Sequence, residues 1–107
     1  MVNNSRQLPL AFFITLMIGF ASASRGDNAE IEFFENNIRP VLAQHCYNCH
    51  SQRAKTLQGG LYVDSLTGLL AGGDSGPAIV KGKAHESLLV SALMHDSFKM
   101  PPKGQLA

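Results

Sequence analysis

What this sequence does without narrows its possibilities. It has no tryptophan and only eight aromatic side chains, six Phe and two Tyr. A domain this small buries a limited core and has few large aromatic anchors to fill it, so a bound group could supply much of the apolar interior. An excess of one charge is missing as well. The formal net charge is +1, and no basic stripe interleaved with aromatics runs through the chain, which argues against a nucleic-acid binder. No internal repeat or low-complexity tract occurs. Two cysteines allow one disulfide at most, so a disulfide framework is excluded. No apolar run reaches the roughly 20 residues of a comfortable membrane span. The longest, Leu8 to Phe20, is interrupted by Pro9, Thr15 and Gly19.

That run has a second reading. Arg6 precedes it and Ala21-Ser22-Ala23 comes after it. A basic start, an apolar middle and a small-residue end make residues 1–23 a secretory signal peptide. An uncleaved anchor is the alternative. Cleavage after Ala23 would leave 24–107 as one small domain, with eight Lys or Arg against eight Asp or Glu. The expected location is the periplasm or another extracytoplasmic space, with no stable membrane span once the leader is removed.

The rest of the pattern is helical. Ile31, Phe34, Ile38 and Leu42 recur at three- and four-residue steps, which predicts one apolar face of a helix starting near Glu30. Glu30, Glu32 and Glu35 suit its positive end, and Asp27 or Asn28 can cap it. Pro40 should end or kink this helix near Ile38 or Arg39 and let a new turn restart. Phe33 and Phe34 are expected in the core, packed on the edge of the bound group. After a polar loop, Leu61-Tyr62-Val63 reads as extended. A short helix comes next, capped by Asp64 or Ser65 and closed by Gly72. Residues 72–77 form a turn-rich loop. A second clear helix is expected from Ala84 to His95, with Leu88, Leu89, Ala92 and Leu93 inward. The fold class is therefore mainly α.

The chemistry sits between the helices, at Cys46-Tyr47-Asn48-Cys49-His50. Cys-x-x-Cys-His is the short signature of c-type haem attachment. Two thiols add across the two vinyl groups of one haem, and the next residue holds an imidazole under the iron. Cys46 and Cys49 are thus the candidate thioether residues and His50 the proximal ligand. A redox dithiol would need a β-α-β context, which the pattern lacks. A zinc site from His45, Cys46, Cys49 and His50 would crowd adjacent donors around a tetrahedral ion. A plain disulfide leaves the five-residue match unexplained.

A haem iron bound by His on one side often takes Met on the other, which raises its potential. Met100 is the best candidate, in a loop stiffened by Pro101-Pro102. Met94 and His95 are rivals at the end of the preceding helix. His85 reads as a surface residue, and His45 as a surface residue or a neighbour of a haem propionate, not a ligand. Gly73-Asp74-Ser75-Gly76 resembles the nucleophile stretch of chymotrypsin-like proteases, but the chain is too short for two barrels and Ser75 reads as a turn residue.

These stretches together resemble the planctomycete-type cytochrome c domain, a divergent relative of the class I cytochrome c fold. The matching segments are FENNIRPVLAQHCYNCH from Phe34 to His50, GGLYVDS from Gly59, GGDSGPA from Gly72, ESLL from Glu86 and KMPPKG from Lys99. The resemblance implies a small helical domain around one covalent haem c, attached at Cys46 and Cys49, with His50 and Met100 as axial ligands. It implies single-electron transfer to a redox partner protein or to a fused downstream domain. Such domains run on after KMPPKG into a final helix that packs across the first. This chain ends at Ala107, so the domain over 24–107 is expected to lack that helix. The rival functions are a haem enzyme or gas sensor with an open distal site, and a zinc or disulfide module.

Overall fold

The computed structural model describes Gly19 and residues 25–107; the expected signal peptide at 1–23 lies outside the described residues apart from Gly19. Four short α-helices carry the fold of the described residues. They are α1 (Arg25–Phe33), α2 (Arg39–His45), α3 (Leu66–Ala71) and α4 (Leu88–Leu93). No strand occurs among the described residues, and the one isolated bridge joins Gly73 to Gly76. None of the described helices is long and apolar enough to cross a membrane.

The first two helices are one rod with a slip in it. Residues Phe34–Ile38 form a π turn between them. The cause is Pro40, which sits in the first turn of α2. It has no N–H to donate, and its ring would collide with the carbonyl four residues back in a tight α-helix. The wider turn makes room, and the Arg39 N–H reaches back to the Phe34 carbonyl. The regular α-helix therefore gives way just ahead of the proline, and α2 restarts at Arg39, where the proline was expected to interrupt it.

The slip also corrects the expected apolar face. One extra residue in the π turn rotates the side chains of α1 relative to those of α2. Leu42 is buried at 6% exposure, whereas Ile31 is 59% and Ile38 39% exposed. Phe33, expected in the core, is 60% exposed. Phe34 is half-buried, and the Arg39 guanidinium lies 5.4 Å from its ring centroid. Arg39 also forks onto the Glu35 carboxylate, at 2.6 and 2.8 Å. This pair holds the Glu35 carboxyl below its ordinary range, chiefly through the hydrogen bond.

The small core is Val63, Leu69 and Ala78, with Cys46, Tyr47, Leu61, Ile79 and Leu89 packed around it. The helix over these residues forms as its ends dictate. The Ser65 hydroxyl accepts the Gly68 N–H at 2.9 Å, and Gly72 closes α3 at φ 70°. A Cβ at Gly72 would overlap the Gly76 carbonyl, so the tight 72–77 loop requires glycine there.

The expected helix from Ala84 to His95 divides in two. A single 3-10 turn, Ala84–Glu86, precedes α4, and Ser87 between them is extended at φ −84°, ψ 123°. The reason is the Ser87 hydroxyl, which is buried and turned to the loop before it. It accepts the Val80 N–H at 2.9 Å and donates to the Lys83 carbonyl at 3.0 Å. A serine used this way stays out of a continuous helix.

Among the described elements, close backbone approach is confined to neighbours along the chain: α1 and α2 meet through the π turn, and α4 meets the 3-10 turn. No large side chain among the described residues is fully buried. The end of α2 and the length of α4 border a space instead of packing on one another, and α1 and α3 lie off it.

Candidate haem site

That space is a cavity of about 570 Å³, within the roughly 300–1,000 Å³ of cofactor sites. Its apolar lining comes from Leu61, Val63 and Ala78 on one part of the chain and Leu88, Leu89, Ala92 and Leu93 on another. The inward side chains expected of the last helix are the ones found there. Its polar lining residues His45, Gln58, Asp74 and Ser75 are all exposed. Ser75 sits in a turn of the 72–77 loop, as a turn residue should.

The motif turn is built by backbone hydrogen bonds. Cys46 and Tyr47 donate to the Leu42 carbonyl at 2.8 and 3.1 Å, continuing the last turn of α2. Cys49 and His50 then donate to the Cys46 carbonyl at 3.1 and 2.9 Å. This winding brings Cys46, Cys49 and His50 to one cavity. Long-range bonds fix the turn from outside. The Gln58 N–H donates to the Cys49 carbonyl at 2.9 Å, and the Val63 N–H to the His50 carbonyl at 2.8 Å. The buried Ser51 hydroxyl ties back to the Tyr47 carbonyl at 2.7 Å. His50 thus starts from a backbone held on three sides.

Cys46 is half-buried and Cys49 exposed, and both are free thiols. Burial, and then the neighbouring Cys49, push the Cys46 thiol above its ordinary pKa. The His50 Nδ1 is buried with no hydrogen-bond partner among the described residues.

Met100 lines the same cavity, together with Pro101, Pro102 and Phe98. The rivals do not. Met94 is 59% exposed, and neither Met94 nor His95 is among the lining residues. His85 is exposed, as expected near the start of the last helix. Phe33 and Phe34 do not reach the cavity; Phe34 faces a separate groove against Val63, Leu66 and Leu69. The aromatic that lines the cavity is Phe98, which sequence reasoning left in a loop. Its position two residues before Met100 was the available signal.

The donor set suits haem c: two thiols, an imidazole and a thioether open on one apolar space. It does not suit zinc, because no group of three or more His, Cys, Asp or Glu is gathered for a metal ion among the described residues.

Fold and site together define a small α-helical domain of the cytochrome c class. Among protein families, planctomycete cytochrome C matches residues 46–104, more than half of the chain, and the chain belongs to that family. The match starts at the first motif cysteine, so the α1–α2 rod lies before it. No curated protein and no solved structure matches the chain.

Proposed function

We propose that this chain is a single-electron carrier domain built on one covalent haem c. Cys46 and Cys49 hold the macrocycle through thioethers, His50 supplies the proximal nitrogen and Met100 the distal sulfur. One observation carries the reading. Residues more than fifty positions apart in the chain, Cys46 and Met100 included, line one apolar cavity. When bound, haem supplies an iron that accepts and returns one electron. The residues set the terms on which it does so. A thioether ligand and an apolar lining both favour the less charged reduced state and raise the potential. Leu88, Leu89, Ala92 and Leu93 would give the group an apolar wall, and the two tethers would fix its place. Export to an extracytoplasmic space belongs to this reading, through the leader at 1–23. The electron partner is a separate redox protein or a fused downstream domain.

The test is expression with export and haem-ligation machinery, and then denaturing electrophoresis with haem staining and a pyridine haemochrome spectrum. The wild-type chain should keep its stain. Cys46→Ala with Cys49→Ala should lose it. A stain that persists in the double variant would refute thioether attachment.

A further inference from the structure

We propose that His95 is the positioning residue for the distal ligand: its ring grips the Met100 main chain and so keeps the Met100 thioether at the cavity. This rests on the reading of Met100 as the sixth ligand. The geometry is local and specific. Helix α4 ends at Leu93, and the chain reverses at His95, which has φ 60° and is the one non-glycine residue with positive φ among the described residues. The His95 N–H donates to the Ala92 carbonyl at 3.1 Å, and the Met100 N–H donates to that same carbonyl at 3.2 Å. The His95 Nε2 lies 3.2 Å from the Met100 carbonyl. A carbonyl only accepts, so Nε2 carries the hydrogen.

Both main-chain polar groups of Met100 are therefore fastened to the C-terminal end of α4, one to Ala92 and one to His95. Ala92 is itself buried and lines the cavity. The other ties of this loop do not touch Met100. They join Ser91 to Ser97 at 2.6 Å, the Asp96 N–H to the Ser91 carbonyl at 3.0 Å, and Gln105 to the Met94 carbonyl at 3.4 Å.

The residue type supports a positional role. The left-handed backbone region strains a side chain and not glycine, although His is among the residues that enter it more often. If the turn alone mattered, glycine would serve better. A half-buried imidazole there supplies the donor that glycine lacks.

This makes stability and ligand hold separable by experiment. The haem-loaded protein is compared as wild type, His95→Gly, His95→Gln and Met100→Ala. Three quantities are read: the long-wavelength charge-transfer absorption of thioether-ligated ferric iron, cyanide affinity, and melting temperature. His95→Gly suits φ 60° and should melt no lower than wild type. It should nevertheless weaken the absorption and tighten cyanide binding roughly three- to tenfold, the worth of one neutral hydrogen bond. His95→Gln keeps a donor at similar reach and should return cyanide affinity to the wild-type value. If Met100→Ala leaves spectrum and affinity unchanged, Met100 is no ligand and both readings fall together. If Met100→Ala opens the site while His95→Gly does not, or if Gln behaves as badly as Gly, only the role of His95 is overturned.

Discussion

Ser87 offers a sharp test of how α4 is placed beside the cavity. The residue is 4% exposed, and its hydroxyl accepts the Val80 N–H and lies within donating reach of the Lys83 and Val80 carbonyls. The carbonyls near this hydroxyl have other donors: Lys83 C=O also receives the Glu86 N–H at 3.1 Å, and Val80 C=O receives the Lys83 N–H at 3.1 Å. Val80 N–H has no second partner among the described residues. Ser87→Ala therefore orphans one main-chain donor and leaves almost no cavity. A buried unsatisfied group costs about 1–3 kcal/mol. In a domain of this size that is a fall in Tm of roughly 4–8 °C per kcal/mol. Denaturant unfolding of the haem-loaded protein, monitored by far-UV circular dichroism, should give the loss with an unchanged m-value. The visible haem spectrum should not move, since Ser87 does not line the cavity. Ser91→Ala is the control. Its hydroxyl bonds only to the exposed Ser97 hydroxyl, so its cost should stay below about 0.5 kcal/mol. A Ser87→Ala loss as small as that of Ser91→Ala would show that water reaches Val80 and that the hydroxyl does not hold the turn.

The α1–α2 rod supplies two further tests. Leu42→Ala should cost about 2–5 kcal/mol because Leu42 is its buried anchor, whereas Phe33→Ser should stay within about 0.5 kcal/mol; equal losses in urea melts would mean that Phe33 is covered after all. Glu35 is held below the ordinary carboxylate range by its hydrogen bond to Arg39, so its stabilising contribution is present above that range and disappears as pH falls through the lowered value. An NMR titration of the Glu35 side chain should show this midpoint returning upward in Arg39→Gln, and an unmoved midpoint would sever the pair.

The chain's own order of residues determined a good deal. The Cys46–His50 motif is legible because haem chemistry would demand two thiols and an imidazole at fixed spacing, and that spacing is local in sequence. The short helix between Ser65 and Gly72 is legible for a similar reason: an N-cap oxygen and a left-handed terminal residue act within one turn. The four inward residues of α4 were readable from their periodicity. Other features needed the folded molecule. The phase slip ahead of Pro40 turned Ile31 and Ile38 outward, because a proline's clash can be relieved by a wider turn as well as by a break, and sequence does not say which. The division at Ser87 depends on a hydroxyl bond to Val80, seven residues away. The union of Met100 with Cys46, Cys49 and His50 is likewise tertiary. Spacing could nominate a methionine and could not bring it to the cavity, because what brings it there is the return of the loop onto the end of α4, through hydrogen bonds to Ala92 and His95.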